Sequence, residues 1–340
     1  MADSLATSFG VLNYSGLLFN HGNTRTPFST MIGGKAKVSN SVEFVVGQGY
    51  NGGSQGAQPA ISENASLTAP DATVTTREQI TNVTQIFQEA FGVSYGKMSN
   101  MGTLSGANIA NQVANPVSEF DFQAAAKMEK IRGDMEYTFI NGVYNKATSD
   151  DTINKTRGMV NAIDTNVIPM GGNALGLWDI ADGMRAIYES NAPTDGLVLF
   201  CDATTMFQIN ADALSNGATI VPAARDINGI QLSSVITPLG VVYLYLGNYL
   251  PSGTALLMNM DVIAPVFQPV PEKGNFFVEE LAKTGAGSKY QIFGQVGLDH
   301  GPEWYHCKFT GISTSFDSTS AAKAVKVVSS SSSSSSTSKS

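Results

Sequence analysis

The chain has 340 residues, 42% of them hydrophobic and only 14% charged, with a formal net charge of −8. That is enough apolar material for about two domains, while the charged share lies well below the ~25% of ordinary globular chains and leaves a neutral, hydrogen-bonding surface suited to broad protein contacts. The acidic balance excludes tight nucleic-acid binding, which needs clustered Lys and Arg to displace phosphate counterions; the densest basic spots are only Lys35 with Lys37 and Lys323 with Lys326.

Residues 1–40 read as an N-terminal arm with short apolar patches at Phe9, Val11, Leu12 and Leu17 to Phe19. Such an arm is ordered only where its own body or a neighbour ties it down. It carries no basic region followed by an apolar stretch, so no secretory signal is expected. No apolar run approaches the ~18 residues of a membrane span.

Residues 41–48, "SVEFVVGQ", alternate and are β-branched, which predicts a strand. A glycine-rich stretch without helical period follows over 49–76. Then comes "TNVTQIFQEAFGVS", residues 81–94, which fits two periods. Val83, Ile86, Phe87, Ala90 and Phe91 make a helix face; Val83, Phe87, Phe91 and Val93 make a strand face interrupted by Gln85 and Glu89. The β-branched Val83, Thr84 and Ile86, and a strand at 41–48 that needs a return, favour a strand over at least 77–88. Gln85 and Glu89 then face solvent or a partner, and Phe87 to Val93 re-enter the core. The whole of 41–96 reads as a long β-hairpin, which is marginal alone in water and needs a surface such as a neighbouring subunit.

Within 97–154 the dominant element is a helix over 117–146, with Ser118 as N-cap and Asp121 three residues on. Ala124, Met128, Ile131, Met135 and Phe139 form one stripe. Lys130 with Asp134 and Arg132 with Glu136 are i,i+4 pairs for its outer surface. Gly133 and Gly142 mark close packing or the helix end. Over 155–262 helical segments at 173–191 and 203–216 alternate with strands at 196–202, within 231–251, and at 254–260, which predicts an α/β domain. Over 263–314 strands return, with 288–299 and 303–313 joined as a hairpin around Asp299, His300 and Gly301. The Ser-rich tail, 315–340, cannot bury enough surface to order itself.

Chemistry is sparse. His21, His300 and His306 stand outside any metal-binding spacing, and His306 reads as a half-buried strand residue. "MIGGKAKV" lacks the Ser or Thr after Lys35 that a phosphate loop requires. Asp150–Asp151 and Glu279–Glu280 read as solvated charges. Residues 156–262 carry Asp179, Asp182, Asp202 and Asp212 but no His or Lys, which argues against an enzyme. Phe87, Phe91, Tyr137 and Phe139 read as core or interface. Cys201 and Cys307, each on an apolar run, read as buried free thiols of a reducing compartment. No catalytic, cofactor-binding or metal-binding residue is expected.

The order of parts resembles the HK97-type phage major capsid protein: apolar arm, hairpin with glycine-rich tip, long helix, α/β domain, return to long strands. "REQITNVTQIFQEAFGVS", "EFDFQAAAKMEKIRGDMEYTFINGVYN", "TRGMVNAIDTNVI" and "FFVEELAKTGAG" with "YQIFGQVGLDHGPEWYHCKFTGI" resemble the SU10-like major head protein family over about residues 25–314. The resemblance implies an α+β fold. Its parts are an N-arm (1–40), E-loop hairpin (41–96), P-domain with spine helix (97–154), A-domain (155–262), return to P-domain strands (263–314) and tail (315–340). It implies a non-enzymatic shell protein that assembles in the host cytoplasm into hexamers and pentamers. The resulting virion head is icosahedral or prolate and encloses dsDNA without sequence-specific binding. Scaffolding, portal and decoration proteins are the further partners, and no membrane is involved. Some shells of this fold are cross-linked by isopeptide bonds from an E-loop lysine; Lys37 is the only lysine between 36 and 96 and precedes the hairpin, so none is expected here. The alternatives are an encapsulin-like compartment or tail-tube protein and, last, an α/β enzyme.

Overall fold

The computed structural model describes residues 26–50, 58, 60–69, 71, 77–98, 119–216, 220–228, 230–283 and 285–316. Most of the N-terminal arm with His21, most of the glycine-rich stretch, the Ser118 cap and the tail beyond 316 lie outside these residues.

The first described helix, α1 (Pro27–Gly33), opens on a proline, whose fixed φ and missing N–H suit a first turn, and buries Phe28, Met31 and Ile32 at i, i+3 and i+4. The short β1 (Lys37–Val38) and then β2 (Glu43–Tyr50) follow. After a single turn, α2 (Glu63–Ser66), β3 (Arg77–Val83) returns antiparallel to β2, with Glu43 opposite Val83 and Tyr50 opposite Arg77. The expected hairpin is present, but it closes at residue 84. β4 (Gln85–Ser94) leaves it for a different sheet.

The ambiguous stretch is therefore two strands and no helix. Val83, Phe87, Phe91 and Val93 are all buried, as the strand reading requires. Gln85 and Glu89, expected toward solvent or a partner, turn instead onto the chain's own body. The Thr156 N–H donates to Gln85 Oε1 at 3.3 Å, and Lys127 and Lys130 both pair with Glu89. The Lys130 ammonium, then the Lys127 one, hold the Glu89 carboxyl below its ordinary value.

A short turn, α3 (Tyr95–Met98), precedes the long α4 (Glu119–Asn141), 23 residues and about 34 Å at ~1.5 Å per residue. Its stripe faces the core, with Ile131 and Phe139 buried and Ala124, Met128 and Met135 packed against them. The expected Arg132–Glu136 surface pair does not form: Glu136 is fully buried and accepts from α1. Gly142 marks both the helix end and a close crossing, because a Cβ there would lie 2.4 Å from the Thr156 carbonyl oxygen.

The next stretch supplies α5 (Met159–Ala162), β5 (Val167–Pro169), α6 (Leu177–Glu189), β6 (Leu197–Cys201) and α7 (Ala203–Ser215). Leu177, Ile180, Met184 and Ile187 are the buried stripe of α6, as their spacing predicts. Strands β7 (Val221–Ile227), β8 (Ile230–Thr237), β9 (Gly240–Leu246) and β10 (Thr254–Asn259) follow. The last part holds β11 (Ala264–Phe267), β12 (Phe276–Leu281), β13 (Gly287–Asp299), a 3-10 turn at Glu303–Tyr305 and β14 (Cys307–Thr310).

Two large sheets result. One has seven strands in the order β5-β14-β10-β6-β9-β8-β7, parallel at β5–β14 and β6–β9 and antiparallel elsewhere. The other has five: β1-β11-β13-β12, with β4 also paired to β13. The expected hairpin of 288–299 with 303–313 is absent: β13 belongs to the five-stranded sheet and β14 to the seven-stranded one. Residues 300–306 are the crossover between sheets, and 307–310 leave the group of strands with which 263–314 was placed. Order also extends past the expected tail boundary, since Phe316 stacks on Phe207 at 5.8 Å.

Burial falls into two clusters. One lies between α6, α7 and one face of the seven-stranded sheet, around Ile180, Met184, Leu199, Val242, Leu257 and Phe309. The other joins the opposite face of that sheet (Val198, Phe200, Leu256, Met258) to α1, α4 and the five-stranded sheet (Phe87, Phe91, Ile292, Val296). The two sheets thus share a core.

Candidate assembly surface

The groups capable of chemistry are tied up in structure. Among the described residues no three His, Cys, Asp or Glu side chains gather as metal ligands. His306, expected to be half-buried on a strand, is fully buried at the end of the 3-10 turn; its Nδ1 accepts the Asn259 N–H at 3.2 Å. Its Nε2 lies 2.8 Å from the His300 carbonyl. His300 is also buried, with Nδ1 2.8 Å from the Gly301 carbonyl. Burial pushes both imidazoles down to about 4; Arg157 adds to this for His300, and His300 for His306. Cys201 and Cys307 are buried free thiols, each pushed up to about 12 by burial. Such thiols are protonated and inert at neutral pH.

Lys35 and Lys37 are equally committed. Lys35 Nζ donates to the Met260 carbonyl and to Asp261, both at 2.9 Å, so the glycine pair before it ends a helix and cradles no phosphate. Lys37 pairs with the largely buried Asp299 at 2.5 Å. Asp150 and Asp151 are exposed. Glu279 and Glu280 lie on β12, paired with Lys273 and Lys283. Phe87, Phe91 and Phe139 are core, whereas Tyr137 is exposed against Tyr249.

What the fold does present is contact surface. β2 and β3 form a two-stranded sheet, too small to be stable on its own strands. It is pinned at its base by Asn82, a fully buried residue. The Asn82 amide donates to the Leu298 carbonyl (2.7 Å) and the Arg157 carbonyl (3.2 Å), and its Oδ1 accepts the Arg157 N–H (2.8 Å). Thr84 adds an N–H donated to the Val42 carbonyl at 2.8 Å and a hydroxyl bond to Gln268 at 2.7 Å. At this base Val42 is exposed, and just beyond it so is Val45. On the seven-stranded sheet, Ile236 and Val241 stand opposite each other at the β8–β9 turn and are 66% and 41% exposed, with Leu239 beside them in the turn. Trp178 on α6 and Phe207 and Leu214 on α7 are exposed as well. Apolar groups placed together at an exposed edge are characteristic of protein contact sites.

A family model described as SU10 major capsid protein matches residues 2–313. The chain belongs to the SU10 major capsid protein family. No curated protein sequence matches it. Among solved structures it is similar to the cyanophage A-1(L) capsid asymmetric unit, with a TM-score of 0.60 at 12% identity over 87% of this chain and 95% of that one. It is also similar to the Mycobacterium phage Patience structure (TM-score 0.56, 10% identity, 89% and 86% covered). The holo-SrpI encapsulin complex from Synechococcus elongatus PCC 7942 gives a TM-score of 0.56 at 9% identity, with 94% of each chain covered. The fold is the HK97-like capsid fold, shared by phage capsids and encapsulins. The SU10-family chain is a major capsid protein of the phage head shell, a homo-oligomer located in the virion.

The sequence pattern reached the family. It missed Asn82 and Glu136, whose roles depend on partners more than 70 residues away.

Proposed function

We propose that this chain builds an icosahedral or prolate head from hexamers and pentamers, enclosing dsDNA without gripping it. The observation that carries this is the family match over residues 2–313. The net charge of −8 supports a wall that does not bind its contents tightly. In this reading the five-stranded sheet and α4 are the P-domain that spreads over the shell. The seven-stranded sheet with α6 and α7 is the A-domain, whose apolar β8–β9 turn meets its neighbours around the capsomer axis. β14 is counted with the A-domain because of its pairing to β10. The β2–β3 hairpin is the E-loop, laid on an adjacent subunit, and residues 1–40 are the N-arm.

The protein has no catalytic role in this reading, and it assembles in the host cytoplasm with scaffolding, portal and decoration proteins. Likeness to the encapsulin concerns the fold alone and supports no cargo function. The test is electron microscopy of particles from the full-length chain. Closed shells with five- and six-fold capsomers are expected; open tubes, or a chain that stays monomeric under all assembly conditions, would overturn it.

A further inference from the structure

We propose that residues 26–38 form an intrachain strap that sets the angle between the two sheets, with Glu136 and Asn228 as the positioning residues that latch it. α1 lies in the core shared by the sheets. Phe28 meets Phe200 of β6 edge-on at 5.7 Å, and Met31 and Ile32 are buried in the same cluster as Ile131 and Phe139 of α4. A seven-residue helix is far below the length that is stable in water, so its partners hold it.

Those partners come from separate parts of the fold. At the N-terminal end, Glu136 of α4 accepts the Phe28 N–H at 2.8 Å, the Ser29 N–H at 2.7 Å and the Ser29 hydroxyl. At the C-terminal end, the Asn228 amide, on the β7–β8 turn, donates to the carbonyls of Thr30 (3.1 Å) and Met31 (2.9 Å). Lys35 then reaches the end of β10 through the Met260 carbonyl and Asp261. Finally β1 pairs in parallel with β11, Lys37 opposite Val266, and Lys37 pairs with Asp299 of β13. Within thirteen residues the chain is fastened to the long helix, to the seven-stranded sheet and to the five-stranded sheet.

The latch has two states. With α1 docked, the buried Glu136 carboxyl is satisfied by donors from α1. With α1 lifted, the same carboxyl would be left bare in an apolar site, which is costly unless water enters. Intermediate positions satisfy neither condition, so the strap holds one inter-sheet geometry and releases it as a unit.

That this geometry matters to shell curvature rests on the capsid reading; the latch itself does not. The test is hydrogen exchange on the unassembled full-length chain carrying Glu136→Leu or Asn228→Gly. Glycine tolerates the positive φ of 49° at position 228, so the second variant removes the side-chain bonds without adding strain. Amides of residues 28–35 should exchange about tenfold faster or more in each, with α6 unchanged. Microscopy of the assembled variants should show a wider range of shell diameters than the parent. If Glu136→Leu does not fold, Asn228→Gly alone decides. Unchanged exchange at 28–35 overturns the latch. Faster exchange with parental shell diameters overturns the angle-setting role. If the parent chain forms no shells at all, the capsid reading fails while the exchange arm still decides the strap.

Discussion

His306 accepts the Asn259 N–H through Nδ1, so its ring is neutral and its proton sits on Nε2, which donates to the His300 carbonyl. His300 donates from Nδ1 to the Gly301 carbonyl, and its Nε2 is buried without a partner. Both rings are held neutral at the crossover between the sheets. The groups nearest in charge are Arg157, which lowers His300, and Glu303, which raises both. Moving each from 6.5 to about 4 is worth on the order of 3 kcal/mol. Below pH 6.5 the unfolded chain takes up protons that the folded chain refuses, so stability falls from there to about pH 4 and then levels. Glu136 works with opposite sign: burial raises its carboxyl above 4.5, so the stability it contributes is complete below 4.5 and lost as pH rises through its folded value. Urea titrations between pH 6.5 and 5 should show falling midpoints for the parent chain and a flatter profile for His300→Gln with His306→Asn. Equal slopes would refute this account. A second residue-scale test concerns Phe91, stacked on Tyr290 at 5.4 Å and tilted against Phe120 at 5.5 Å. Phe91→Ala should cost about 3–5 kcal/mol in the same titration, and a loss under ~1 would show that its packing is loose.

At the scale of elements, the junction after α4 is set by two glycines. A Cβ on Gly142 would stand 2.4 Å from the Thr156 carbonyl oxygen, and one on Gly158 would stand 2.5 Å from the Gly142 nitrogen. The Gly158 N–H donates to the Gly142 carbonyl at 2.8 Å, so two backbones touch without side chains between them. Alanine gains up to ~1 kcal/mol of helix propensity, but here it must force the crossing open, at about 1–3 kcal/mol. Gly142→Ala should therefore destabilise the chain by calorimetry, and a raised melting temperature would mean that propensity wins. The stripes of α4 and α6 were legible in the sequence, because helical period is a local signal, but of this junction only Gly142 was flagged: the helix was expected to run to 146 and ends at Asn141, and the partner glycine, Gly158, lies 16 residues on. The division at Thr84 was not legible: a single residue passes the chain from one sheet to another, and no glycine or proline between 80 and 90 marks it. Nor was the parting of β13 from β14, because a turn signal at Asp299–Gly301 states that the chain bends and not which sheet receives it. Glu136 was misplaced for a related reason. Its i,i+4 spacing from Arg132 fits a surface pair, and only the docking of α1, more than 100 residues earlier, explains why its carboxyl turns inward.

At the scale of the whole molecule, the question is what holds a shell of such chains together. The hairpin offers backbone and apolar contacts at Val42 and Val45, and the seven-stranded sheet offers Ile236, Leu239 and Val241. None of these side chains can form a covalent bond to a neighbour. The lysine that comes nearest in sequence to the hairpin, Lys37, lies on β1, tied to Asp299 at 2.5 Å and to the β11 ladder. Reaching a neighbour would require it to abandon a largely buried carboxylate, leaving that charge unpaired inside the fold, which is far costlier than losing an exposed pair. The two cysteines are buried and protonated, so disulfides between subunits are closed off as well. Cohesion then rests on burial, and apolar area contributes roughly 25 cal/mol per Å², so many modest contacts suffice in a closed shell. Mature particles boiled in detergent, with or without reductant, should run as a single monomer band on a denaturing gel. A ladder of oligomers that survives both treatments would show that a lysine side chain cross-links the shell.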